Sequence, residues 1–265
     1  MDSDPILLHM NGASHSYDGM RWQFRSLDLT LRAGEVTAIL GVNGRGKSTL
    51  LQVLGGLLKP TEGTVAVHPR TGVVPQDFAA TFPYSVLDMV LMGRARHVSL
   101  FAAPKKEDID KAMAALEAAG MAAYAGRSIA SLSGGQRQLV LIARALAGEN
   151  NVLLLDEPAS ALDLKNQNHV LTLLGQLVDR QGLAIAFTTH QPNHAVAVAD
   201  RVLLMLEGTD ALFGATDDVL TEAALEALYG IPVSAVRLAA GEGEETAFLP
   251  IFRRRMRRKA RRDCA

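Results

Sequence analysis

Three short segments of this chain carry residues suited to handling a phosphorylated ligand. Gly41-Val42-Asn43-Gly44-Arg45-Gly46-Lys47-Ser48 fits the pattern G-x-x-x-x-G-K-[ST], between an expected strand and an expected helix. Glycines let the backbone wrap closely round an anion and point its N–H groups inward. The helix start that follows adds partial positive charge. Lys47 supplies a point charge for β and γ phosphates, and the Ser48 hydroxyl is a hard oxygen ligand for Mg²⁺. Val152-Leu153-Leu154-Leu155-Asp156-Glu157 puts two carboxylates at the C-terminal end of a buried strand, where ligands of open α/β sheets bind. Asp156 suits Mg²⁺ held through its water shell, and Glu157 can take a proton from an attacking water. The plainer alternative is an acidic pair before Pro158, stabilised by a helix dipole. Leu132-Ser133-Gly134-Gly135-Gln136 opens a further helix and forms a second anion site.

The elements that must position these groups alternate along the chain. Residues 35–40, 152–155 and 183–188 read as buried strands. Residues 64–67 and 71–74 read as short strands, and residues 49–58, 105–119, 136–147 and 166–179 as helices. Buried apolar strands separated by helices indicate a parallel sheet covered on both faces. The mostly helical stretch from about 78 to 150 is expected as a subdomain inserted into that α/β core. The chain is expected to end in a helix, a short strand and a basic tail, with no internal repeat.

Composition narrows the classes. The chain has 265 residues, 48% apolar and 21% charged, a globular profile with ample material for a buried core. No apolar run approaches the ~20 residues of a spanning helix. The acidic start Met1-Asp2-Ser3-Asp4-Pro5 lacks a signal layout, so the chain is expected to stay in the cytoplasm. The lone cysteine, Cys264, excludes an intramolecular disulfide. Residues 253–262 carry eight basic side chains, and the rest of the chain is acidic. Such a run is a solvated tail or a contact for anionic lipid headgroups. Nucleic-acid binding fits less well with an acidic folded part.

Leu132-Ser133-Gly134-Gly135-Gln136 matches the signature motif of ABC-transporter ATPases, and the other family motifs follow in order. The resemblance implies a P-loop NTPase (ABC ATPase) core with a parallel-rich sheet, an antiparallel β part and the inserted helical subdomain. It assigns residues 1–235 to the ATPase domain and 236–265 to a C-terminal extension. It implies ATP and Mg²⁺ as ligands. Gln76 resembles the glutamine-loop residue that touches Mg²⁺ and relays to membrane subunits. Ser160-Ala161-Leu162-Asp163 resembles the D-loop that crosses the dimer interface. His190 resembles the switch histidine that contacts the γ-phosphate, and Tyr17 the aromatic residue that stacks on adenine. Thr49 is grouped with the nucleotide-binding set, and Lys47, Gln76, Glu157 and His190 with the catalytic one. Three positions depart from the usual pattern: Arg45, Ala159 and Gln191 stand where a small residue, threonine and aspartate are commoner. Arg45 could add a phosphate or dimer contact, or reach solvent.

The family mechanism is a sandwich in which two copies hold two ATPs head to tail. Each ATP lies between one copy's phosphate loop and the other's Ser133-Gly134-Gly135-Gln136. The implied partners are a second copy, two integral-membrane permease subunits and, indirectly, an extracytoplasmic cargo-binding protein. The implied place is the cytoplasmic face of the inner membrane. Residues 84–94, 137–146 and 161–167 are most similar to importer ATPases of the iron-siderophore, haem and cobalamin type. Thr188-Thr189-His190-Gln191-Pro192-Asn193 and Phe82-Pro83-Tyr84-Ser85 resemble the molybdate/tungstate importer ATPases. A metal-containing cargo is therefore expected, an iron chelate or a metal oxyanion. The alternative is a non-transport ABC ATPase acting on nucleic acid through its basic tail. A P-loop kinase or GTPase is disfavoured by the signature pentapeptide.

Overall fold

A computed structural model of the chain describes residues 5–68, 70–76, 83–99, 102–240 and 243–252. In chain order the strands are β1 (Ile6–Ser16), β2 (Trp22–Arg32), β3 (Val36–Leu40), β4 (Glu62–Ala66), β5 (Thr71–Val74), β6 (Val152–Leu155), β7 (Ala184–Thr189), β8 (Arg201–Met205), β9 (Ala211–Ala215), β10 (Val233–Ala240) and β11 (Gly243–Pro250). The α-helices are α1 (Lys47–Leu54), α2 (Val86–Leu91), α3 (Lys106–Ala118), α4 (Gly134–Ala147), α5 (Leu164–Gln181), α6 (Pro192–Val198), α7 (Thr216–Val219) and α8 (Glu222–Tyr229).

The runs that lack alternation lie together in a six-stranded sheet ordered β5-β6-β7-β3-β8-β9, parallel except for the edge strand β9. Successive side chains of a strand face opposite sides. Val36, Ala38 and Leu40 of β3 enter one core, and Ile39 enters the other. Leu153 and Leu155 likewise part from Val152 and Leu154 across β6. Both faces are covered, so most positions of β3, β6 and β7 are apolar, with Thr37, Thr188 and Thr189 as buried exceptions. One core packs the helices that follow β5 against the sheet. The other packs Leu50, Leu51, Val53 and Leu54 of α1 with Met10, Phe24 and Leu29 of the antiparallel sheet β2-β1-β4. Helices α2, α3 and α4 fall between β5 and β6, as an insertion into the α/β core. This is the expected fold class.

Parallel register places the C-terminal ends of β3, β6 and β7 along one edge, with Leu40 opposite Thr189 and Leu155 opposite Phe187. The glycine loop, the acidic pair and His190 follow those three ends.

Two local expectations are corrected. Helix α1 starts at Lys47 and stops at Leu54, not at residue 58. Gly55 caps it, and Gly56 at φ +70° turns the chain away. The end of the chain holds a hairpin rather than one short strand. Strands β10 and β11 pair without a bulge from Val233↔Pro250 to Ala240↔Gly243. Strand β11 was hidden by its start, Gly243-Glu244-Glu245, because neither Gly nor Glu favours strands. The boundary expected at 235/236 falls inside β10. Residues 77–82 and the basic run 253–262 lie outside the described residues.

Candidate functional site

The glycine loop forms one wall of a cleft of about 370 Å³, lined by Gln23, Asn43, Gly44, Arg45, Gly46, Lys47, Ser48, Thr49, Gln76 and Glu157. Gly46 is required twice over. Its φ is +83°, and a Cβ there would sit 2.9 Å from the Gln23 carbonyl oxygen. This approach folds the loop so that Lys47 opens α1 from inside the wall. The side chain of Lys47 is 5% exposed, and its ammonium faces the cleft wall. It donates to the Gly41 carbonyl at 2.8 Å and to the Val42 carbonyl at 3.3 Å, and pairs with Glu157 Oε1 at 3.2 Å.

Glu157 links the loop to the neighbouring strand end. Its Oε2 lies 3.2 Å from His190 Nδ1. Its backbone has φ +44°, a region that costs a non-glycine residue about 1–3 kcal/mol. Thr188 Oγ1 accepts from Glu157 N at 2.8 Å and donates to Asp156 Oδ1 at 2.6 Å, while Ser160 Oγ donates to the Glu157 carbonyl at 3.1 Å. These bonds hold the two carboxylates in register. Burial is the largest single influence and works against ionising Glu157, but Lys47, His190 and Ser160 together hold the carboxyl below its ordinary value. An anion that competes for Lys47 removes that counter-ion and makes Glu157 a stronger base.

The segment after β7 is built on buried polar contacts. His194 is buried; its Nδ1 lies 3.2 Å from Thr189 Oγ1 and its Nε2 lies 3.3 Å from Gln167 Oε1. Burial pushes its pKa down. A neutral ring protonated on Nε2 satisfies both neighbours, accepting from Thr189 and donating to Gln167. Gln167 Nε2 in turn donates to the Leu162 carbonyl at 3.0 Å. Of these groups, Gln23, Thr188, Gln167 and His194 were not foreseen. Thr188 lies two residues before His190 in sequence, which was a usable signal; Gln23 reaches the cleft only through the fold of β2.

Tyr17 stands 63% exposed outside the cleft lining, tied to it by a 3.1 Å contact between its hydroxyl and Thr49 Oγ1, with its ring edge-to-face on His15. Gln76 lines the cleft and is exposed. Arg45 is half-buried and lines the cleft and also a crevice with Met205, Thr209 and Asp210; its Nε is enclosed without a hydrogen bond. Ser133, Gly134, Gly135, Gln136 and Asp163 do not line this cleft. Ser133 caps α4 in a reciprocal box with Gln136, and Asp163 caps α5. Gly135 lets these two helix starts meet, since a Cβ there would lie 2.8 Å from Asn166 Cγ.

The donors fit Mg²⁺ bound with a nucleotide. Among the described residues no group of three or more His, Cys, Asp or Glu could cage a metal ion alone. Ser48 and Gln76 offer hard oxygens in the cleft lining, Asp156 offers its carboxylate next to the cleft residue Glu157 without itself lining the cleft, and Mg²⁺ commonly completes its shell with water and phosphate oxygens. No helix among the described residues is long and apolar enough to cross a membrane.

Comparison with known proteins gives a consistent picture. The family model for ABC transporters matches residues 24–160. The molybdate import ATP-binding protein MolC of Haemophilus influenzae is 46% identical over 237 residues, covering 89% of this chain and 93% of that protein. An inward-facing structure of a transporter described as metal-chelate type is 44% identical with a TM-score of 0.89, covering 94% of this chain and 98% of that one. A dimeric bacterial ABC transporter cassette is 29% identical with a TM-score of 0.65, covering 75% and 94%. Nothing in these likenesses supports the nucleic-acid alternative.

Proposed function

The chain belongs to the ATP-binding subunits of ABC transporters, and from that membership we propose that it drives an importer of a metal-containing cargo, with a molybdate-type oxyanion favoured. As a member of this family it is an ATPase that binds ATP, works as a dimer and pairs with membrane permease subunits. The observation that carries the site assignment is Glu157, which lines the phosphate cleft with Lys47 and lies 3.2 Å from both Lys47 and His190, the latter set outside the cleft lining.

In this reading the backbone of residues 41–48 and the start of α1 cradle the β and γ phosphates, with Thr49 beside them, and Lys47 transfers from Glu157 to the phosphates. Tyr17 stacks on adenine. Mg²⁺, held by Ser48, Gln76 and Asp156, neutralises phosphate charge when bound. Glu157 then takes a proton from the attacking water, and His190 contacts the γ-phosphate from the opposite side. Ser133, Gly134, Gly135, Gln136 and Asp163 serve the second copy's nucleotide, which accounts for their position outside this chain's own cleft. The ATPase core forms the motor, and the extension begins with the hairpin β10–β11 rather than at 235/236. The assembly sits on the cytoplasmic face of the inner membrane and takes cargo from an extracytoplasmic binding protein.

The cargo assignment rests on the 46% identity with a molybdate import subunit. A metal chelate is the second reading, favoured by the 44% identity with a metal-chelate type transporter. The test is to purify this chain with its two membrane subunits and measure ATPase activity with binding protein loaded with molybdate or with an iron chelate. Stimulation by molybdate alone supports the first reading, and stimulation by the chelate alone replaces it with the second. Absence of any Mg²⁺-dependent ATP hydrolysis contradicts the motor assignment.

A further inference from the structure

We propose that the C-terminal unit sets the position of His190, with Tyr229 and Asn193 as positioning residues for it. The inference rests on the reading of His190 as the residue that meets the γ-phosphate. Tyr229, the last residue of α8, donates its hydroxyl to the His190 carbonyl at 2.8 Å. Burial raises its pKa well above the ordinary tyrosine value, so the hydroxyl keeps the proton it donates. Three residues on, the Asn193 side chain pairs in both directions with the backbone of Phe248 in β11. Its Oδ1 accepts from Phe248 N at 2.8 Å, and its Nδ2 donates to the Phe248 carbonyl at 3.2 Å. Asn193 therefore extends the strand edge that β10 leaves open.

These two attachments lead to one body. Glu222, at the start of α8, accepts from Ala235 N of β10 at 2.6 Å, which ties the helix to the hairpin. Leu225, Leu228, Val233 and Phe248 anchor that body in the larger core. The segment 190–193 is thus held at its first residue by Tyr229 and at its last by β11. Neither attachment touches the phosphate cleft. Fixing the carbonyl of His190 restricts the backbone dihedrals that aim its imidazole at Glu157, 3.2 Å away. Small misplacement of a catalytic group is costly to rate, so a bond to this carbonyl acts on turnover through His190. If the same bonds served only to attach the hairpin, they would affect stability and leave turnover alone.

The experiment uses the full-length chain with Tyr229→Phe, which removes only the hydroxyl. Loss of one neutral hydrogen bond predicts a fall in kcat of about fivefold, with KM for ATP unchanged and Tm lowered by no more than a few degrees. The decisive arm repeats the substitution in a His190→Ala background, with residual turnover read as release of labelled phosphate. A positioning residue has nothing left to position there, so the further loss disappears. Asn193→Ala, at an exposed side chain, predicts the same pattern and carries the test if Tyr229→Phe lowers Tm by more than a few degrees. Unchanged kcat in both single variants, or an equal fractional loss in the His190→Ala background, overturns the inference. If His190→Ala alone is as active as the parent chain, the switch reading of His190 fails and takes the inference with it. If His190→Ala is impaired but the Tyr229 and Asn193 variants are not, only the inference fails.

Discussion

Replacing Glu157 with Gln keeps the shape of the side chain and removes its charge and its basicity. The structure indicates that the fold tolerates this. Lys47 is 5% exposed, and a buried charge stripped of its partner costs about 3–5 kcal/mol. Lys47 keeps its bonds to the Gly41 and Val42 carbonyls, however. The new amide can turn its oxygen to Lys47 and its N–H to His190 Nδ1, replacing both contacts of the carboxylate. The stability cost should therefore be about 1–2 kcal/mol, in the range of an imperfectly replaced hydrogen bond. Turnover should respond far more. Loss of a positioned general base lowers rate by about 10²–10⁴, or roughly 3–5 kcal/mol of barrier. The assay pairs steady-state phosphate release with an ATP-binding titration and a melting curve. The account expects binding retained, Tm lowered by a few degrees and turnover down at least a hundredfold. Turnover within tenfold of the parent chain would remove Glu157 from the base role. Loss of ATP binding with the fold intact would make it a binding residue instead.

Two further substitutions probe separate parts of the structure. Gly46→Ala meets both a φ of +83° and the Gln23 carbonyl, so it should distort the phosphate loop and weaken MgATP binding more than tenfold in a titration, while α1 and its core stay folded. Glu149 is held down to about 2 by hydrogen bonds from Arg94 and then Lys111. A depressed carboxyl stabilises the fold fully above its ordinary value of 4.5, and that contribution fades as pH falls toward 2. Glu149→Gln should therefore lower stability at pH 7 by about 1 kcal/mol, modest because the group is 38% exposed. The two melting curves should converge as the pH approaches 2; a constant gap down to that pH would contradict the assignment.

What the sequence disclosed tracks the distance over which each feature is encoded. The phosphate loop, the acidic pair and the glycine motif at 132–136 lie within a few residues of themselves, and their types state their chemistry. Strands β3, β6 and β7 were legible because burial on both faces leaves continuous apolar runs. The end of α1 was read four residues late because Leu57 and Leu58 continue an apolar pattern that the glycine pair at 55 and 56 interrupts. Strand β11 was missed because its pairing with β10 outweighs its weak local preference. The support around His190 was out of reach for a related reason. Tyr229 and Phe248 meet the segment after β7 across 39 and 55 residues of chain, and nothing in either residue type announces that meeting. Gln167 read as an ordinary residue of the helix over 166–179, and His194 fell in a stretch read as no element, until α5 and α6 packed together.

A structure of the Glu157→Gln chain with ATP and Mg²⁺ bears most directly on the central claim. The account predicts two copies related head to tail, with each triphosphate against Lys47 of one copy and the Ser133-Gly134-Gly135-Gln136 helix start of the other. A triphosphate lying away from Lys47, or a nucleotide enclosed by one copy alone, would contradict it.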